Sequence, residues 1–595
     1  MIRVSDYIIG FLESKGIKDI FTLSGGFCLP LVDSVGKSGI NYVCTLHEQA
    51  AAIAAEAYAQ YNNAPGVCLV TAGPGATNTI TGIASAWLDS VPMIIFSGQV
   101  QSKDLRGDKK VRQIGFQEID VTSIVKPITK YATTVLDPHD IKSVLEKAWH
   151  LATTGRQGPV WIEIPLDIQS AEIDVKLLKS HEHESKEDRT QELKQKVSHF
   201  YELLNSSKRP VILAGNGIRS ANAEEKFLEL ANFLNIPVMT TWKSLDFMEE
   251  EHPLFVGRPG IAAQRGANFS QQTSDLFISI GARLDHGQTA FNHENFARKA
   301  KKVIVDIDPA EIEKMQFHID CSVDFDAGDF IEEALNQKEQ KNSEFPKWLQ
   351  QCKEWQAKYP VVVPEYWEQK EYVNNYVLVD VLSDLMNSTD LLIPGSSGCC
   401  SEVTMQSFKV TKGMRIFNSE GLGSMGFGIA ASLGGCIASN RRHTVCIDGD
   451  GGFVMNIQEL ETVRRLNLPI KYFVLNNGGY VSIRNSQGRH FKNEFASGED
   501  SGVTLPSFEK ISNSYGIKYA RITDQNNIHE QVLKVLEEDG PIVCEVMMLH
   551  THETLPKNST YKREDGTFIA LPMEDLLPLL DREEFNSNMA IGLDE

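Results

Sequence analysis

The 595-residue chain contains no run approaching the ~18 consecutive apolar residues that a membrane-spanning helix needs, which excludes a span. Its first residues, MIRVSDYIIGFLESKG, carry an apolar stretch that is short and broken by charge, unlike a secretion signal. Cysteine is sparse. There are ten, with no Cys-x-x-Cys and one adjacent pair, Cys399–Cys400. That excludes a disulfide scaffold and the usual zinc spacings, and reads as free thiols in a reducing, cytoplasmic compartment. Positive charge is also short: 58 Lys and Arg against 79 Asp and Glu give a net charge of −21. Such a surface repels nucleic acid and anionic lipid, so neither is expected as a partner. It also means that any phosphate-bearing ligand must be held by local backbone amides or a metal, because the overall field opposes it.

What is present is an ordinary globular composition, 42% hydrophobic and 23% charged. At ~100–200 residues per domain the length suits about three domains. Short apolar runs alternate with helical patterns throughout: Gly66–Thr71, Val91–Ser97, Pro159–Pro165, the run from Pro210, Leu276–Gly281, Val303–Asp308, Leu391–Pro394, Thr444–Asp448, Lys471–Leu475 and Ile542–Met547. Alternation of this kind predicts an α/β protein of three doubly wound parallel-sheet domains. The domains are expected at residues 1–175, 190–340 and 365–550, with a tail over 551–595 that shows no strand pattern. Polar linkers are read at 176–196 and 336–343. His181, His183 and His252 suggest a metal site, but the first two sit in a polar run with no apolar support, and that reading is discounted. The Ala-rich run 50–59 suits close helix packing, either between subunits or inside one core.

The most informative segment is TVCIDGDGGFVMNIQELETVRRLNLPIKYFVLNNGGY, residues 444–480. A buried strand ends at Asp448, and Gly449-Asp450-Gly451-Gly452 turns the chain. Ile457, Leu460, Val463 and Leu466 recur at helical spacing, and a second strand ends at Asn476-Asn477-Gly478-Gly479. Both polar clusters fall at the carboxyl ends of strands, the edge where open α/β sheets bind ligands. Asp450 and Asn477 offer hard oxygen ligands, with the Gly479 carbonyl as a third, which suits Mg²⁺ holding a diphosphate. Glycines 449, 451 and 452 let the backbone approach phosphate. Two plain Gly/Asn turns would explain the glycines alone. They do not explain Gly-Asp-Gly, 24 residues (452 to 475), then Asn-Asn.

That pattern resembles the thiamine-diphosphate signature, and the chain as a whole is similar to the acetolactate synthase branch of those enzymes. The resemblance rests on Ser24-Gly25-Gly26, His47-Glu48-Gln49-Ala50-Ala51, Gly73-Pro74-Gly75-Ala76-Thr77-Asn78, Phe116-Gln117-Glu118 and Gly421 to Gly428 (GLGSMGFG). It implies pyrimidine-binding, central and diphosphate-binding domains in that order. It implies thiamine diphosphate and Mg²⁺ as cofactors, with Asp450, Asn477 and Gly479 as the metal ligands. Glu48 matches the glutamate that hydrogen-bonds the pyrimidine N1′, and Met425 the apolar residue beneath the thiazolium. Gly25 and Gln117 match positions at the reaction centre, with Phe116 beside them. Pro74, Asn78, Ser397, Gly398, Cys399, Gly423, Gly451, Gly452, Tyr480 and Val481 match cofactor contacts. Cys399-Cys400 replaces the family's Gln-His, so only the backbone role of that loop carries over. Gly215-Asn216-Gly217 and Gly281 to Asp285 resemble segments that touch FAD in the synthases. The next two residues are His286-Gly287 where the family has Asp-Arg, so FAD stays open.

The resemblance implies decarboxylation of a 2-oxo acid, pyruvate first, and ligation of its two-carbon unit to a carbonyl acceptor. The assembly it implies is a homodimer or homotetramer with sites shared between subunits. Two alternatives stand beside it. A simple 2-oxo acid decarboxylase is disfavoured because Gly98–Lys103 (GQVQSK) lacks the paired histidines that supply a proton. A catalytically silent homologue is disfavoured by the presence of Glu48, Asp450 and Asn477. Ser486 stands where the synthases present a tryptophan, which predicts a roomier or more polar acceptor site. The acidic tail resembles those of synthase-like enzymes of sugar pathways.

Overall fold

The computed structural model describes all residues except 183–186, 397, 564 and 592–595. Ser397, His183 and Glu564 therefore lie outside the described residues. Strands β1 (Asp19–Leu23), β2 (Asn41–Cys44), β3 (Gly66–Val70), β4 (Met93–Gln99), β5 (Tyr131–Thr134) and β6 (Pro159–Pro165) form the first sheet, in the order β2-β1-β3-β4-β6-β5. All its pairs are parallel. β3 and β6 are buried along their whole length, which is why they read as unbroken apolar runs rather than alternating ones.

The central sheet holds β7 (Pro210–Ala214), β8 (Val238–Thr240), β9 (Leu276–Ile280), β10 (Lys301–Val305) and β11 (Cys321–Val323), in the order β8-β7-β9-β10-β11. The third sheet holds β12 (Leu391–Pro394), β13 (Arg415–Ile416), β14 (Thr444–Gly449), β15 (Ile470–Asn476), β16 (Lys518–Ile522) and β17 (Ile542–Met547). Its order is β13-β12-β14-β15-β17-β16, again with parallel pairs throughout. The first and third domains thus share one strand order. In each, the order reverses beside the first strand, between β1 and β3 and between β12 and β14. A reversal of this kind opens a crevice at the carboxyl ends of the strands.

The helix α1 (Glu48–Asn62) carries the Ala-rich run, and it is buried inside one chain. It packs on α2 (Phe427–Ala438) of the third domain. A Cβ on Gly434 would fall 2.0 Å from the Ala54 carbonyl oxygen, so the small residues are what let the two helices touch. The tail departs from expectation. It forms an antiparallel hairpin, β18 (Thr560–Lys562) with β19 (Phe568–Ala570), and a helix over Arg582–Ala590. Three-residue strands are too short to show alternation, although the Asp565-Gly566 turn, with Gly566 at φ 87°, is a hairpin signal. The tail helix docks on the central domain, where Trp355 Nε1 donates to Asn588 Oδ1 (2.9 Å) and the Tyr359 hydroxyl to Glu584 (2.8 Å). Among the described residues no helix is long and apolar enough to cross a membrane.

Candidate active site

The carboxyl edge of the first sheet gathers the predicted residues of that domain around Thr71, which follows β3. A Cβ on Gly25 would lie 2.5 Å from Thr71 Cγ2, so the backbone after β1 comes this close only because residue 25 has no side chain. A Cβ on Gly75 would meet the same methyl at 2.6 Å and Glu48 Oε1 at 3.4 Å. The Thr71 hydroxyl also accepts from Phe27 N (3.2 Å). Glu48 opens α1 and is buried, and Asn78 Nδ2 donates to its Oε2 at 2.9 Å. Pro74 starts the short turn that carries Asn78. Gln117 sits in the left-handed region at φ 62° and packs on Gly73, where a Cβ would fall 2.7 Å from the Gln117 carbonyl oxygen. Phe116 beside it is 78% exposed. Gly25, Glu48, Pro74, Asn78 and Gln117 therefore occupy one place.

The corresponding edge of the third sheet holds the second cluster. Asp450 follows β14 and heads the short helix α3 (Asp450–Phe453), so the predicted turn is already helical. Its Oδ2 accepts from the backbone N–H groups of Asn477 (3.0 Å), Gly478 (2.8 Å) and Gly479 (3.0 Å), and its Oδ1 from Gly451 N (2.7 Å). Burial pushes the carboxyl up to about 6 against those four donors. Asn477 is buried, and its Oδ1 has no hydrogen-bond partner among the described residues. Gly478 and Gly479 have φ of 75° and 129°, backbone that other residues rarely adopt. Tyr480 lies over Gly451, with Cε1 2.5 Å from where a Cβ would be, and Met425 Cε stands 3.5 Å from the same point. Val481 is buried and begins the helix α4 (Val481–Phe491). Gly423 has φ 61°, with open space where a Cβ would sit. Gly452 packs on Asp448, whose carboxyl burial raises to about 7. Cys399 is buried with Sγ 3.9 Å from Asn477 Nδ2 and 3.7 Å from Cys400 Sγ; Gly398 abuts Glu402.

Three thiamine pyrophosphate enzyme profiles match the chain in sequence: the N-terminal TPP binding domain over residues 2–124, the central domain over 197–334 and the C-terminal TPP binding domain over 396–546. The acetolactate synthase large subunit of Cyanidium caldarium is 32% identical over 570 residues, covering 92% of this chain and 94% of its own. The probable acetolactate synthase large subunit of Methanocaldococcus jannaschii is 34% identical, covering 93% of each. The Escherichia coli isozyme 2 large subunit is 31% identical, covering 91% of this chain and 95% of its own. The chain belongs to the thiamine pyrophosphate enzymes. Within that family it is of the acetolactate synthase type.

The family's cofactors can be tested against the residues present. The Asn477 Oδ1, unpartnered among the described residues, and the desolvated Asp450 carboxylate are hard oxygen donors just past the ends of two adjacent strands, the set that a divalent cation takes. They fit Mg²⁺. The FAD-like segments line a cleft of about 130 Å³ between the domains. Its glycines are already spent on loop packing, since a Cβ on Gly215 would fall 2.2 Å from the Gly281 carbonyl oxygen. Its cations are bonded within the protein: Arg156 to Asp308 and Glu311, Lys243 to Gln60 and Asp89, Arg283 to Asp285. Two residues of these edges carry no motif in the sequence: Thr71, on which Gly25 and Gly75 press, and Arg484, which donates to the Asn477 and Gly478 carbonyls.

Proposed function

We propose that this chain is a Mg²⁺- and thiamine-diphosphate-dependent carboligase that removes CO₂ from a 2-oxo acid, pyruvate first, and joins the remaining two carbons to a carbonyl acceptor. The observation that carries the reading is the pair of half-sites: the Glu48–Asn78 cluster and the Asp450–Asn477 loop stand at equivalent edges of two domains with one strand order. When bound, thiamine diphosphate supplies a carbon nucleophile and an electron sink for loss of CO₂. Asp450 and Asn477 would hold the metal, with the Gly479 carbonyl as a third ligand. Gly451 and Gly452 leave room for the diphosphate, and Gly398, Cys399, Gly423, Tyr480 and Val481 would complete the cradle. Met425 would support the ring system. The Glu48 carboxyl would hold and move a proton at pyrimidine N1′, oriented by the Asn78 amide. Gly25, Pro74 and Gln117 would border the reacting carbon and the pyrimidine.

The active assembly is proposed to be a homodimer or homotetramer in the cytoplasm. Apolar side chains around both half-sites support it: Phe116, Phe491 and Phe495 are 78%, 70% and 66% exposed. All ten cysteines are outside disulfides, as a reducing compartment allows. In this proposal Glu48 serves the neighbouring subunit's cofactor. Mixing inactive Glu48→Gln with inactive Asp450→Ala should then restore part of the activity, and a fully active monomer by light scattering would refute the shared site. The reaction itself is tested with labelled pyruvate and a panel of 2-oxo acids, aldehydes and sugar ketones. A product two carbons heavier than one acceptor supports ligation. CO₂ release with acetaldehyde alone would make the chain a decarboxylase, and no cofactor-dependent CO₂ release would make it a silent homologue.

A further inference from the structure

Arg484 lies three residues into α4 and is buried, yet the nearest carboxylate oxygen, Glu494 Oε2, is 3.9 Å from its Nε and half exposed. Its guanidinium is satisfied by four backbone carbonyls instead. Nη1 donates to Asn477 O (3.2 Å) and His550 O (2.5 Å), and Nη2 to Gly478 O (3.0 Å) and Ser497 O (3.2 Å). Two of these acceptors belong to peptide units already described from the other side. The peptide joining residues 477 and 478 gives its C=O to Arg484 and its N–H to Asp450 Oδ2. The peptide joining 478 and 479 does the same. Both units are clamped between a buried cation and a buried carboxylate, with their dipoles aligned along that axis. Bonds in such chains strengthen one another in a low-dielectric interior.

Resting on the reading of this loop as the metal and diphosphate site, we propose that Arg484 is a positioning residue for the divalent cation. The loop it clamps has two glycines at positive φ. With the carbonyls of 477 and 478 held by the guanidinium, their amides face Asp450, and the Asn477 Oδ1, unpartnered among the described residues, is held beside the carboxylate. The contact to His550 extends the clamp to the start of the tail, where the His550 ring covers Gly478 (Cε1 is 2.7 Å from where a Cβ would be). Two neighbouring contacts run the same way: Asn485 Nδ2 donates to His552 O (3.0 Å) and Arg489 pairs with Glu553 (2.8 Å). Lysine cannot replace this group fully. Its three N–H donors leave from one point, whereas the planar fork reaches carbonyls on two sides.

The test is direct metal binding by the full-length protein in the presence of thiamine diphosphate, using Mn²⁺ followed by electron paramagnetic resonance. Arg484→Met is expected to raise the Mn²⁺ dissociation constant ~10–100-fold, the usual loss when a partner outside the ligand shell is removed. Arg484→Lys should recover part of it, and it keeps the buried charge should Arg484→Met fail to fold. In turnover, the Mg²⁺ concentration for half-maximal rate should rise in Arg484→Lys while kcat at saturating Mg²⁺ stays within a few-fold of the parent. A purely structural role would instead lower kcat with the Mg²⁺ midpoint unchanged, and that result would overturn the proposal, as would parental Mn²⁺ affinity in Arg484→Lys. If the parent protein itself fails to bind Mn²⁺ with thiamine diphosphate, the cofactor-site reading falls and Arg484's role falls with it.

Discussion

The first and third domains have the same strand order and the same crevice, and they put different chemistry there. In the first, the crevice is built by close approach. Gly25 and Gly75 both press on Thr71, and the polar groups are side chains, Glu48 with its Asn78 partner. In the third it is built from backbone amides aimed at one carboxylate, with glycines at positive φ where the chain must turn. The first arrangement suits recognition of a flat ring and movement of a proton. The second suits a metal and phosphate oxygens. Strand order therefore decided where a site could form, and a handful of residues at each edge decided what it could do.

Substitutions that damage one edge and spare the other sharpen this contrast. The largest effect is expected from Glu48→Gln, which keeps shape and hydrogen bonding but cannot shift a proton. Turnover should fall ~10²–10⁴-fold, the range of general acid–base contributions, with cofactor affinity close to the parent by calorimetry. Asp450→Ala should do the reverse. Cofactor binding in Mg²⁺ should weaken about a hundredfold or more, because loss of an outer partner alone costs ~10–100-fold. Equal effects of the two changes on affinity would erase the distinction between the edges.

Packing gives a smaller contrast within the first edge. Gly25→Ala forces a methyl against Thr71 and should cost about 1–3 kcal/mol in denaturant unfolding. Gly26→Ala, with nothing within 4 Å, should stay within about 0.5 kcal/mol.

The seam between the two domains adds a pH effect. Glu56 on α1 is fully buried. It accepts from Ser85, which is itself 2.8 Å from Ser419 of the third domain. Burial, then the nearby Asp89, raises its carboxyl from 4.5 to about 8. The folded protein therefore holds a proton that the unfolded chain releases. The stability from this group is fully present below the unfolded value and is lost as pH rises toward 8, at about 1.4 kcal/mol per pH unit. Thermal unfolding of Glu56→Gln should depend less on pH between 6 and 9 than that of the parent; parallel curves would remove Glu56 from the balance.

Much of this was legible in the residues because buried parallel strands must be apolar on both faces, so Gly66–Val70 and Thr444–Gly449 announce themselves. Asp450 and Asn477 were legible because a βαβ unit returns two strand ends side by side, so residues far apart in sequence become neighbours. Thr71 and Arg484 were not, and of Gln117 the left-handed backbone was not. Their importance lies in what approaches them from elsewhere in the chain: a glycine without a side chain, two peptide carbonyls, the turn at Gly73. The tail hairpin was missed because three-residue strands carry no period.

In the proposed reaction the two edges are halves of one cofactor site, and Glu48 moves the proton in it. The most direct measurement is hydrogen–deuterium exchange at C2 of bound thiamine diphosphate, sampled by acid quench and read by NMR, in the parent and in Glu48→Gln. Rapid exchange is expected in the parent, slowed ~10²–10⁴-fold in the variant at full cofactor occupancy. Unchanged exchange in Glu48→Gln would contradict that role for Glu48.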